Sequence, residues 1–135
     1  MNTPTIGFLG GGRIARIFLE GWTRAKQFPS RVVVADPNAD TLAKLKHRFP
    51  AVDTTGDLAA AAAQDVVFLA THPPVLSDVA GRVAGALEPK AILVSLAPKF
   101  TIAKLTVLLG GFARIARANP NAASVIGAGM NPVVF

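Results

Sequence analysis

A chain of 135 residues, 51% hydrophobic and 16% charged, with no cysteine and a net charge of +6, already excludes several classes of protein. Without cysteine there is no disulfide scaffold, thiolate metal site or thiol chemistry. No apolar run approaches the roughly 18 residues a bilayer crossing needs, so no membrane partner is expected, and one domain of this size can bury roughly 68% of its unfolded surface unaided.

The 14 Lys+Arg against 8 Asp+Glu permit attraction to a phosphate-bearing ligand, an anionic lipid or nucleic acid. Arg13, Arg16, Arg24, Lys26 and Arg31 are scattered, and Lys44, Lys46 and Arg48 form a single cluster. They make no stripe interleaved with aromatics, so a nucleic-acid partner is not expected. The amino terminus passes from Met1-Asn2-Thr3-Pro4 straight into a strand-like run without the pattern of a signal peptide, which predicts a cytoplasmic location.

Along the chain, β-branched apolar runs alternate with segments of helical period. Thr5 to Leu9 reads as a strand, Arg13 to Gln27 as a helix, Arg31 to Ala35 as a strand and Ala39 to Phe49 as a helix. An extended piece near Val52 precedes a short alanine-rich helix capped by Asp57. Then follow a strand over Val66 to Ala70, a helix over Pro74 to Leu87, a strand over Ala91 to Leu96, a helix over Thr101 to Leu109 and a strand over Ala113 to Ala118. In the first helix Ile14, Ile17, Phe18, Trp22 and Ala25 form the packing stripe, with Arg13, Arg16, Glu20 and Arg24 on the solvated side. Asp78 and Arg82 are spaced for an exposed ion pair. The strands are continuous apolar runs, as in a parallel sheet covered on both faces. The expected fold is therefore α/β, a Rossmann-like doubly wound, mostly parallel sheet with helices on both faces, in one domain spanning 1–135.

Directly after the first strand stands Gly10-Gly11-Gly12-Arg13-Ile14-Ala15, which fits the fingerprint G-x-G-x-x-G/A. Gly10 permits the tight turn, Gly12 lets the backbone approach a pyrophosphate, and Ala15 lets the helix pack closely on the strand. The free amides of the first helical turn then face the phosphates. Asp36, at the end of the second strand, is placed to accept from the adenosine ribose hydroxyls of NAD, or else to shape an Asp-Pro-Asn turn. A carboxylate there disfavours a ribose 2′-phosphate, whereas Arg13 at the loop accommodates one, so NAD(P)H is expected as cofactor, with the unphosphorylated form slightly favoured and the other left open. In such sheets the strands' carboxyl ends line the ligand crevice. That rule selects Ala70, Thr71, His72 and Pro73 after one strand, Ser95 and Ala97 after the next, and Asn119 and Asn121 after the last.

Taken in order, these segments resemble the amino-terminal domain of pyrroline-5-carboxylate reductase, within the wider group that includes deazaflavin-dependent NADP oxidoreductases. The resemblance rests on Ile6 to Ala15, on Val66 to Ala70 leading to Pro73, on Thr101 to Leu105, and on Asn119-Pro120-Asn121 followed by Gly127-Ala128-Gly129-Met130. It implies hydride transfer from a reduced nicotinamide to a small-molecule cyclic imine, giving proline. The chain differs from the family at His72, where Lys is usual, at Pro98-Lys99, where Ala-Gly is usual, and at Asn119 and Ala122 in the family's Met-Pro-Asn-Thr-Pro segment. The family's carboxyl-terminal dimerisation and substrate domain lies beyond Phe135. Either further chain or a second copy then supplies the missing surface, a homo-oligomer being one such state, and Val133-Val134-Phe135 is expected to seek a partner element.

No catalytic residue is assigned. His72, before two prolines, reads more readily as a surface residue than as a general acid, His47 as part of a solvated helix end, and Ser95 as a structural strand-end serine. No metal site is expected from two histidines far apart. The competing reading to a reductase is a non-catalytic dinucleotide-binding or sensing module.

Overall fold

The computed structural model describes residues 4–71, 73–97, 99–118 and 133–134. The elements are β1 (Ile6–Leu9), α1 (Arg13–Ala25), β2 (Val32–Ala35), α2 (Ala39–Arg48), β3 (Asp53–Thr55), α3 (Leu58–Ala62), β4 (Val66–Leu69), α4 (Pro73–Val83), β5 (Ile92–Ser95), α5 (Ile102–Leu108), β6 (Ile115–Ala118) and β7 (Val133–Val134). They build one sheet in the order β3-β2-β1-β4-β5-β6-β7. β1 to β6 are parallel to their neighbours, and β7 runs antiparallel on β6, with Arg117 opposite Val134 and Ala118 opposite Val133. The partner element expected for Val133 and Val134 is thus β6 of the same chain.

The two-residue period of each strand divides the core into two layers. Ile6, Phe8, Val32, Val34 and Phe68 pack with Ala15, Leu19 and Leu45 under α1 and α2. Leu9, Val33, Ala35, Val67 and Leu69 pack with Ala61, Leu76, Val79, Val83 and Leu105 under α3, α4 and α5. Phe8 lies at the centre of the first layer, stacked on Phe68 at 5.0 Å between ring centroids and tilted against Phe18 and Trp22, both at 6.0 Å.

Three helices begin on side-chain caps, since Asn38 accepts from the amides of Asp40 and Thr41, Asp57 from Ala59 and Thr101 from Lys104. The expected ion pair of Asp78 and Arg82 forms at 3.0 Å, half-exposed or more on both sides and therefore of small energetic weight.

Two expectations are corrected. α4 ends at Val83 rather than Leu87, and Ala86 N–H closes a turn on the Val83 carbonyl at 2.9 Å. Gly81 and Gly85, poor helix formers, precede Glu88-Pro89, so propagation fails before the apolar period ends, while Leu87 still packs on the core. In α1 the buried row includes Ala15 and Leu19, whereas Ala25 at the helix end is exposed. Glu20, expected on the solvated side, is only 19% exposed and holds Arg48 of α2 at 2.8 Å. α1 is flanked on one side by α2, which takes up part of the surface a lone helix would leave wet.

Candidate functional site

Sheet order reverses direction at β1, since the crossovers through α1 and α2 run to β2 and β3 while β4, β5 and β6 extend the other way. The carboxyl ends of β1 and β4 therefore diverge from a single switch point, where a crevice opens in folds of this kind. Gly10 occupies that point. It has φ +111°, donates its N–H to the Ala35 carbonyl at 2.8 Å, and a Cβ there would lie 2.9 Å from the Ala70 carbonyl oxygen. A side chain would meet both an unfavourable backbone region and the end of β4.

Gly11 is fixed from the side. Its N–H donates to Asp36 Oδ2 at 2.9 Å, and Asp36 Oδ1 accepts from the Asn38 N–H at 2.8 Å. The Asp-Pro-Asn turn expected from sequence is present, and its carboxylate also ties the glycine loop to the end of β2. About two of the roughly four acceptor positions of a carboxylate are used in this way. Asp36 lines the crevice as well.

Gly12 is exposed, and a Cβ built on it meets no atom within 4 Å. It stands at the N-cap of α1 with no side-chain cap, and the first turn of α1 carries no acidic residue. This contrasts with α2, α3 and α5, whose first turns are satisfied by Asn38, Asp57 and Thr101. The α1 amides are left for an external acceptor, with the positive end of the helix dipole behind them.

Two concavities meet at Gly12. The crevice, about 440 Å³, is bounded by Gly10, Asp36, Ala70 and Thr71 on the sheet edge and by Val75 and Val79 of α4. Thr71 Oγ1 is buried there with no hydrogen-bond partner among the described residues, a state that costs about 1–3 kcal/mol unless a ligand supplies one. On the other side of the loop a groove of about 390 Å³ runs between α1 and α2, reached by Gly11, Gly12 and Arg13.

Of the residues expected at the site, Gly10, Gly12, Asp36, Ala70 and Thr71 are thus brought together around the crevice, and Gly11 and Arg13 face the groove. Ile14 is partly buried and packs into the layer beneath α1 and α2. Pro73 opens α4. Ser95 and Ala97 are buried at the end of β5, where Ser95 Oγ accepts from the Ala97 N–H at 3.3 Å, a structural contact of the kind expected for that serine. His72, Asn119 and Asn121 lie outside the described residues. Gly56 and Leu58 after β3 also line the crevice and were not singled out from sequence. The same strand-end rule finds them, but β3 is only three residues long and reads weakly as a strand.

Parallel strands reversing at β1, helices on both faces and a glycine turn leading into an uncapped helix define a Rossmann-like α/β domain. The chain belongs to the family described as NADP oxidoreductase coenzyme F420-dependent, whose model matches residues 5–99. It is 34% identical over 128 residues to a pyrroline-5-carboxylate reductase of Pseudomonas aeruginosa, covering 93% of this chain and 46% of that one. Its identity to the Escherichia coli pyrroline-5-carboxylate reductase is 30% over 131 residues, covering 95% and 48%. A solved pyrroline-5-carboxylate reductase from Coxiella burnetii superposes with a TM-score of 0.88 at 34% identity over 98% of this chain and 49% of that one. A Plasmodium falciparum pyrroline carboxylate reductase with NADP bound gives 0.82 at 18% identity, over 98% of this chain and 48% of that one, a likeness of fold. The likeness to the amino-terminal domain of pyrroline-5-carboxylate reductases expected from the sequence is borne out, and the chain spans about half the length of these relatives.

Among the described residues no helix is long and apolar enough to cross a membrane.

Proposed function

We propose that this chain is the dinucleotide-binding part of an NAD(P)H-dependent reductase that transfers hydride to a small-molecule cyclic imine, pyrroline-5-carboxylate, in proline biosynthesis in the cytoplasm. The observation that carries the reading is the uncapped first turn of α1 behind the open face of Gly12, at the switch point of a parallel sheet. The residues fit a nicotinamide dinucleotide. Amides of the α1 first turn have the charge and direction to hold a pyrophosphate, and Gly12 leaves it room. The crevice offers an adenosine the apolar walls of Val75 and Val79, with Asp36 within its lining for the ribose hydroxyls. The unpartnered Thr71 hydroxyl gains a partner when the crevice is filled. When bound, a reduced nicotinamide supplies the hydride. The chain's own contribution is to fix the donor against the sheet edge.

Hydride transfer demands that donor and acceptor carbon be held in register, which is worth several kcal/mol and at most about 7–11. Titrating the chain with NADPH and NADH, and then following nicotinamide absorbance with pyrroline-5-carboxylate, tests the assignment. Dinucleotide binding with oxidation in the presence of the imine supports it. Binding with no oxidation reduces the assignment to a dinucleotide-binding module, and binding of neither nucleotide removes it.

A further inference from the structure

We propose that Asp36 is a positioning residue for the phosphates of the nucleotide, one that acts through the backbone of Gly11 whether or not the ribose carries hydroxyls. The inference rests on the dinucleotide reading above and gives Asp36 a role that a ribose contact does not cover.

Three consecutive glycines have no side chains with which to hold a loop, and each has more backbone freedom to lose than any other residue. Gly10-Gly11-Gly12 nevertheless keeps one shape, with Gly10 at φ +111° and Gly12 extended at φ −81°, ψ −153°. The loop is fixed from β2. Gly10 N–H donates to the Ala35 carbonyl at 2.8 Å, and Gly11 N–H donates to Asp36 Oδ2 at 2.9 Å across 25 residues of sequence. Asp36 is itself held, because its Oδ1 accepts from the Asn38 N–H at 2.8 Å and Asn38 caps α2 through the amides of Asp40 and Thr41. The anchor thus carries the order of a capped helix into the loop. Packing follows the bonds, since a Cβ on Gly11 would stand 3.2 Å from Val34 Cγ1 and 3.5 Å from both Asp36 Cβ and Thr41 Cγ2. Gly11 is buried against β2 and α2, whereas Gly12 beside it is exposed and leads into the uncapped first turn of α1.

Charge gives this role a signature of its own. A carboxylate beside a pyrophosphate repels it, so on electrostatic grounds alone neutralising Asp36 raises phosphate affinity. As an anchor Asp36 acts in the opposite sense. Without it the glycine loop samples other shapes, and the nucleotide must order the loop as it binds, which lowers affinity. Asparagine at this position separates the two effects. The Gly11 and Asn38 amides are bonded to different oxygens of the carboxylate, and an asparagine amide has one oxygen, so one of the two bonds is lost together with the charge. A ribose contact leaves a third pattern, in which the loss vanishes once the ligand lacks the hydroxyls.

The test titrates the wild-type chain, Asp36→Asn and the control Asp40→Asn with NADH, ADP and 2′,3′-dideoxy-ADP at fixed salt, beside amide spectra and a thermal melt. Asp40 is exposed in the first turn of α2 and lines neither concavity, so its variant reports the change of charge alone. Asp36→Asn is expected to bind all three ligands on the order of tenfold more weakly, with the losses for ADP and the dideoxy nucleotide equal within about twofold. Asp40→Asn is expected to bind them as the wild type does or slightly more tightly. In the unliganded Asp36→Asn spectrum the Gly11 amide proton is expected to move upfield on losing a charged acceptor, while the amides of the core strands stay in place. Should the melt show that Asp36→Asn does not fold, Asp36→Ser repeats the comparison, keeping a turn-forming oxygen for Asn38 on a side chain too short to reach Gly11. Unchanged or tighter binding in the variant, or a loss seen with ADP and absent with the dideoxy nucleotide, overturns the proposal alone. Failure of the wild-type chain to bind any of the three ligands removes the dinucleotide reading and the proposal with it.

Discussion

Replacement of Gly12 by alanine is expected to leave the fold intact and to weaken binding of a nicotinamide dinucleotide by on the order of 100-fold, about 2.7 kcal/mol. In the free chain the added methyl meets no atom within 4 Å, and the backbone at φ −81°, ψ −153° is extended and open to any residue. Where a native conformation suits alanine, the substitution even gains about 0.4–1 kcal/mol through the unfolded state. The thermal midpoint should therefore hold or rise slightly. The methyl stands over the first turn of α1, where a pyrophosphate must approach the amides, so the loss falls on the complex alone. Calorimetric titration beside a thermal melt checks both halves. Undiminished affinity in the alanine variant would mean that the phosphates lie elsewhere.

Gly7→Ala is expected to have the opposite signature, a loss of stability of at least about 3 kcal/mol. Gly7 lies in the middle of β1, paired with Val33 and Val67, and α3 crosses it so closely that a Cβ would overlap the Ala61 carbonyl oxygen and lie 2.8 Å from the carbonyl carbon. The obstacle is backbone, which cannot rotate aside as a side chain tip would. Accommodation requires α3 to lift off the sheet, separating Ala61 and Ala62 from the layer they share with Val67 and Leu69. Denaturant unfolding should show a lower midpoint with an unchanged slope. A shift below about 1 kcal/mol would contradict the close seating of α3 on β1. The two glycines thus separate two uses of a missing side chain, close packing at Gly7 and ligand access at Gly12.

The sequence made the sheet and the glycine turn legible because both depend on local signals. Val32-Val33-Val34 and Val66-Val67-Phe68-Leu69 have no polar face, which demands cover on both sides, and the turn at Gly10 follows β1 immediately. The cap at Asp57 was equally local, being set by residues within a single helical turn. The α1–α2 groove was not legible. Arg16 and Lys44 stand far apart in sequence and share a cleft only because α1 and α2 cover the same face of the sheet, and a scatter of basic residues looks alike whether it converges or not. The double role of Asp36 was half legible, since the turn at Asn38 is local while the bond to Gly11 spans 25 residues. The early stop of α4 escaped because the apolar period runs on to Leu87, which packs on the core from a turn instead of a helix.

Amide chemical shifts of the isotopically labelled chain during titration with NADPH give the most direct test of whether the first turn of α1 holds a pyrophosphate. The largest shifts are expected on the amides of Gly11 through Ala15, with Asp36 and Thr71 following. Saturable binding that leaves those amides unmoved would contradict this expectation.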